Sequence, residues 1–215
     1  MPALFTRSAN TWFRLVLAAL VLLPASIPVL LVLYMRSPDA HAQLVAIDQP
    51  IEFDHRHHVR DDGIDCLYCH SSAERSESAG VPPTELCMGC HNQIWNDSVL
   101  IEPIRRSYFG DRPIAWNRVY ALPEHVFFNH AAHVNKGVGC VTCHGRVDQM
   151  ARVYKVPPLT MQWCLDCHRN PEPNLRPLEM ITAMEWTQSG GEPEGRRLAR
   201  EYGVRRLTHC STCHR

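Results

Sequence analysis

All ten cysteines of this chain fall in Cys-x-x-Cys pairs, and a histidine follows each pair directly. The five motifs are Cys66-Leu67-Tyr68-Cys69-His70, Cys87-Met88-Gly89-Cys90-His91, Cys140-Val141-Thr142-Cys143-His144, Cys164-Leu165-Asp166-Cys167-His168 and Cys210-Ser211-Thr212-Cys213-His214. A Cys-x-x-Cys pair alone reads as a redox dithiol, half of a zinc site or a haem c attachment. Zinc does not require histidine right after the second cysteine, and a disulfide framework does not repeat one spacing five times. Haem c requires this arrangement. Two cysteines about one helical turn apart form thioethers to the two vinyl groups, and the next residue reaches the iron. The motifs therefore predict five c-type haems, with His70, His91, His144, His168 and His214 as iron ligands.

A second pattern precedes two of these motifs. FDHRHHVRDDGIDCLYCH begins at Phe53, and FNHAAHVNKGVGCVTCH begins at Phe128; both open Phe-x-His-x-x-His. His55 and His58 correspond to His130 and His133 at an offset of 75 residues, Cys66 to Cys140 at 74, and Cys87 to Cys164 at 77. Val81-Pro82-Pro83 recurs as Val156-Pro157-Pro158. Landmarks kept in step over such a period indicate two copies of one structural unit. Each unit holds two histidines not yet used and two haem motifs. An iron bound by the histidine of its motif has one axial position left, and a second imidazole there gives a low-spin electron-transfer centre of low potential. Two histidines three apart on one turn can serve two neighbouring haems. His55 and His58 are thus expected at the first two irons, His130 and His133 at the third and fourth. His57 has no counterpart in the second copy, where Ala132 stands, and reads as a surface residue.

The elements that must position these groups are sparse. The 215 residues carry 22 basic and 22 acidic side chains, a balance that points to neither a nucleic-acid footprint nor an acidic tail. Residues 15–34, LVLAALVLLPASIPVLLVLY, hold no charge, and twenty residues at about 1.5 Å each match a bilayer's hydrocarbon thickness. The run exceeds a usual signal-peptide core, although Ala40-His41-Ala42 resembles a cleavage site. Pro24 and Pro28 are expected to kink the helix. Arg7 and Arg14 before the span and Arg36 after it favour an inside N-terminus weakly. Haem c attachment on the outer face of a bacterial cytoplasmic membrane sets the rest of the chain outside.

The expected organisation is an N-terminal cytoplasmic segment (1–14), a transmembrane anchor (15–36), a first dihaem repeat (50–100), a connector (101–124), a second dihaem repeat (125–170), and a closing region with linker, short helices and fifth haem (171–215). In the closing region LEMITAMEW (178–186) and PEGRRLAREYG (193–203) read as short helices; the second has Pro193 near its start and Gly203 at its end. Regular strands are hard to find. The fold class expected is mostly loops and short α-helices wrapped around five haems, with one N-terminal membrane helix.

The Phe-x-His-x-x-His lead-in with closely following haem motifs resembles the small multihaem cytochromes of the c3/c7 type. The run LPEHVFFNHAAHVNKGVGCVTCHGRVDQM, followed by PPLTMQWCLDCHRNP, is similar to the membrane-anchored pentahaem cytochrome c subunit of bacterial alternative complex III. For the fifth haem no third lead-in exists, and His209 is too close to Cys210 to cross its own ring. The c7-type pattern implies a ligand near Met161, and the alternative-complex resemblance makes Met150 a candidate; His125 and His41 are the imidazole alternatives. His/Met ligation is the expectation.

These resemblances imply a non-catalytic electron-transfer subunit. It would relay electrons from membrane quinol-oxidising and iron–sulfur subunits to a periplasmic cytochrome, copper protein or oxidase. No cysteine remains for an iron–sulfur cluster of its own. Two other readings stand beside it: an anchored multihaem subunit of another quinone-linked complex, and a multihaem reductase with an open fifth haem.

Overall fold

The computed structural model describes residue 6 and residues 8–214; Arg7, part of the topology signal, lies outside the described residues. The chain divides into two compact units, Met1–Gln43 and Leu44–Arg215.

The first unit is dominated by α1, Ala9–Met35, 27 residues long. It begins ahead of the apolar run and is about 40 Å long at 1.5 Å per residue. Its most apolar stretch has a mean hydropathy of 2.7, and none of that stretch is buried. A helix apolar all round with no protein cover is long and apolar enough to cross a membrane. It runs through Pro24 and Pro28 as one element, and the Ser26 hydroxyl donates to the Leu23 carbonyl at 2.7 Å.

In the second unit each Cys-x-x-Cys-His motif forms or ends a short helix: α2 (Cys66–Cys69), α3 (Thr84–His91), α6 (Cys140–His144), α7 (Met161–Arg169) and α9 (Cys210–Cys213). A helical turn is what sets the two cysteines of a motif, three residues apart, on one face. Capping is local. The Asp65 carboxylate accepts from the Leu67 amide at 2.8 Å, and the Thr160 hydroxyl accepts from the Trp163 amide at 3.3 Å. Among the described residues the only β pairing is in two isolated bridges, Ala46 with Tyr154 and Val138 with Leu175.

The connector holds a helix that its mixed composition concealed, α4 (Glu102–Gly110). Pro103 sits in its first turn, where a missing N–H costs nothing. Glu102 pairs with Arg105 at 2.8 Å and Arg106 at 3.4 Å. α4 packs on α3, and Ile51, Met88, Ile101 and Ile104 form a small buried cluster there, flanked by Ile114 and Trp116.

The closing region departs from expectation at its first predicted helix. Residues 178–186 make one tight turn, Leu178–Met180, followed by single three-residue turns, Ala183 to Met180 and Trp186 to Ala183, whose Met180 and Ala183 carbonyls also accept from the Arg176 guanidinium at 3.4 and 2.9 Å. The second predicted helix is present as α8 (Gly191–Glu201), with Pro193 in its first turn. α8 packs on the turn Glu172–Asn174, and Gly195 lies so close to the Glu172 carbonyl that a Cβ would collide with it.

Leu198, on α8, and Leu175, just after that turn, are each 1% exposed. Replacing Leu198 with alanine removes buried apolar atoms at a site too crowded to collapse, so the haem-loaded protein is expected to lose about 2–5 kcal/mol, read from its denaturant midpoint.

Candidate haem-ligation sites

The two lead-ins fold alike around their phenylalanines. Phe53 meets the His55 ring edge-on at 4.8 Å between centres and stacks on His58 at 4.3 Å. Phe128 does the same with His130 at 4.8 Å and His133 at 4.5 Å. One aromatic ring thus fixes two imidazoles at different angles. The second histidine of each pair is also oriented through its own turn: His58 Nδ1 lies 3.0 Å from the Asp54 carbonyl and His133 Nδ1 2.8 Å from that of Asn129. Binding Nδ1 to a backbone carbonyl makes it the protonated nitrogen and leaves Nε2 as the metal-ligating one. The local backbones differ, since a π-helix, Arg56–Asp61, follows His55, whereas His130–Val134 is an α-helical turn, α5.

Three lead-in histidines face motif histidines. Ring centres are 6.2 Å apart for His58 and His91, 6.4 Å for His130 and His144, and 6.0 Å for His133 and His168. A metal–imidazole bond of about 2 Å on each side places two opposed ring centres about 6 Å apart. These pairs therefore fit an iron between them. His55 lies near His70: burial pushes its pKa down to about 4, and His70 and then His58 add to the effect. Its buried Nδ1 has no partner. Burial likewise takes His144 down to about 4, with His130, His70 and His55 contributing. Both imidazoles are held neutral, the form that coordinates iron.

The motif histidines are aimed by carbonyls. His70 Nδ1 is 2.8 Å from the Gly80 carbonyl, His91 Nδ1 3.1 Å from that of Ile94, and His168 Nδ1 2.8 Å from that of Leu207. His214 Nδ1 is 3.1 Å from the carbonyl of His125. The ring of His125 stacks 5.6 Å from that of His214, which by distance alone resembles the other pairs. The carbonyl contact differs from those pairs. It sits on the Nδ1 side of His214, away from the Nε2 that would bind iron, and one residue cannot hold its carbonyl behind a ring and its own imidazole across the iron in front. His125 lies behind His214 and braces it. The two thioether candidates are placed very differently. Met161 opens α7, one turn ahead of Cys164, and is 68% exposed, while Met150 is 4% exposed, just past the turn Val147–Gln149 that packs on the π-helix of the first lead-in. His41 Nε2 is 2.8 Å from the Met35 carbonyl. His57 is exposed and stacks on Trp95 at 6.0 Å.

The cysteines show which motifs are neighbours. The proximity of Cys140 and then burial raise the Cys66 thiol, while the proximity of Cys66 lowers that of Cys140, so the first and third motifs lie side by side. Burial and then the proximity of Cys69 raise Cys87, which sets the second motif beside the first. Burial pushes Cys143 up to about 12, with Cys167 the next largest cause, and after burial Cys213 raises Cys164. The third motif therefore adjoins the fourth, and the fourth the fifth. Backbone contacts agree. The His130 and Ala131 amides donate to the Glu77 and Ser76 carbonyls at 3.1 and 3.0 Å, and the Phe127 amide donates to the Cys213 carbonyl at 2.8 Å.

A chain of short helices and loops with paired histidines beside Cys-x-x-Cys-His turns is a c7-like, haem-binding multihaem cytochrome c fold. Residues 126–215 match the sequence model of the family described as cytochrome c7 and related cytochrome c. Over 98 residues the chain is 36% identical to the multihaem cytochrome c subunit of the menaquinone reductase of Nitratidesulfovibrio vulgaris. The aligned part covers 45% of this chain and 46% of that relative, so the match spans about half the relative's length.

Because one phenylalanine orients each histidine pair, Phe128→Ala is expected to loosen His130 and His133 together. Electron paramagnetic resonance should then show high-spin signal from as many as two haems, and Phe53→Ala should do the same independently.

Proposed function

We propose that this chain is an electron-transfer subunit that binds five c-type haems. Its haem-bearing unit would lie on the outer face of a bacterial cytoplasmic membrane, anchored by α1. The observation that carries the reading is the set of imidazole pairs 6.0–6.4 Å apart, each joining a lead-in histidine to a motif histidine. The ligand pairs are His55 with His70, His58 with His91, His130 with His144 and His133 with His168. When bound, haem supplies the one-electron iron couple. The protein supplies the axial ligands, their orientation and a low dielectric.

For the fifth site the ligands are His214, braced by the His125 carbonyl, and Met161. Met161 shares α7 with Cys164, which the fifth motif approaches, and it is not used in packing. Met150 is buried beside the first lead-in. Met161→Leu should leave one haem high-spin and open to carbon monoxide, with loss of any sulfur-to-iron charge-transfer band. Met150→Leu, a swap of similar volume, should cost under about 1.5 kcal/mol and leave the spectrum unchanged. A spectral change in the Met150 variant alone would reverse the assignment.

The attachment sites follow one another in space as second, first, third, fourth, fifth. This supports a linear relay with the second and fifth sites at its ends. Two quinone-linked settings fit: a quinol-oxidising complex like alternative complex III, with its iron–sulfur and membrane subunits and a periplasmic acceptor, and a quinone-reducing one, favoured by the similarity to a menaquinone reductase subunit. The deciding experiment is to purify the complex through this chain, count haems by pyridine haemochrome, and assay it in both directions. Five haems per chain are expected. Quinone reduction without quinol oxidation would select the second setting, and fewer than five haems would refute the five-haem reading.

A further inference from the structure

Arg176 is a buried arginine with no carboxylate to pair with. It is 5% exposed, and none of the ion pairs among the described residues includes it. Its guanidinium donates to two carbonyls, of Ala183 at 2.9 Å and Met180 at 3.4 Å. Its Nε donates to nothing, and its terminal carbon lies 5.0 Å over the Trp186 ring. The seat is built for it. The guanidinium rests against Gly139, where a Cβ would collide with it, and the Arg176 amide donates to the Gly137 carbonyl at 2.8 Å. A guanidinium stays charged in proteins, and burying one without a counter-charge is costly. Carbonyls and a ring face offset that cost in part.

The place it occupies is specific. Gly139, against which the guanidinium rests, immediately precedes Cys140. On its other side Cys140 is held by the Ile181 carbonyl, which accepts the Cys140 amide at 2.9 Å. Asp65, which precedes Cys66, reaches the same turn through Thr182 at 2.7 Å. Asp65 is spent on Thr182 and on the Leu67 amide. The fixed cation therefore stands where the two repeats meet, beside the attachment points of the first and third sites.

We propose that Arg176 sets the reduction potentials at this junction. Reduction adds one electron to the iron, ferric to ferrous, with no bond made or broken, and a nearby fixed positive charge favours the reduced state. Arg176 thereby raises the midpoints of the first and third sites relative to what ligation alone would give, and it eases passage of an electron from one repeat to the other. This rests on the five-haem reading above.

The test is a potentiometric titration of the haem-loaded full chain, followed by electron paramagnetic resonance, on the parent and on Arg176→Gln. Two midpoints should fall and three should stay. Unchanged midpoints, or one equal shift of all five, would overturn the proposal. If Arg176→Gln does not accumulate, Arg176→Met, which fills the seat without a charge, carries the same test. Two midpoints should again fall and three stay, and unchanged midpoints or an equal shift of all five would again overturn the proposal. Haem content of the parent chain separates this result from failure of the five-haem reading, which would appear as missing haem before any potential is measured.

Discussion

Opposed imidazoles about 6 Å apart are the constraint around which residues 44–215 are arranged. Two rings must face each other across a gap that neither may close, so each is held from behind. Motif histidines are held by carbonyls of Gly80, Ile94, Leu207 and His125. Lead-in histidines are held by Phe53 and Phe128. Much of the chain's irregular course brings those carbonyls to the Nδ1 atoms of His70, His91, His168 and His214 and those rings against the lead-in imidazoles. This explains why long loops, uncommon in a compact domain, are useful here: carbonyls outside helices and sheets are readily turned towards a histidine.

The same constraint limits the ordinary core. Among the described residues, buried apolar side chains form one small cluster around Ile51, Met88, Ile101 and Ile104, together with separate positions such as Leu175 and Leu198. Large apolar residues such as Tyr68, Val81, Phe127 and Met161 stay exposed in the polypeptide alone. In a haem-binding fold such surfaces have a natural partner in the macrocycle faces, which supply apolar area that the side chains do not.

What could be read from the sequence was what the motifs state directly. The five Cys-x-x-Cys-His turns, the doubled lead-in and the apolar N-terminal helix are local patterns, and α8 was marked by Pro193 and Gly203. The missed features depend on groups that have no signature in a one-dimensional pattern. The sequence draws attention to the His125 imidazole, and the structure adds its carbonyl, 3.1 Å from His214 Nδ1. The expected helix over 178–186 is instead a run of tight turns whose Met180 and Ala183 carbonyls face Arg176, close in sequence but folded back. α4 was hidden by a mixed composition, although Pro103 and the pairing of Glu102 with Arg105 and Arg106 were visible signals. The meeting of the repeats at Cys66 and Cys140 is tertiary and could not be read from the spacing, which is the same in either arrangement.

The brace on His214 also ties together distant times in the life of the chain. Residues 125 and 127 hand a carbonyl to His214 and an amide to Cys213, across a separation of 89 residues in the first case. They lie immediately before Phe128 and the histidines of the second lead-in. As the polypeptide emerges in order, that lead-in can meet its own two motifs long before the last one exists, but its entry segment stays untied on this side until the last motif arrives. The fifth motif thus acts as a clasp: the second repeat is spelled out early and fastened late.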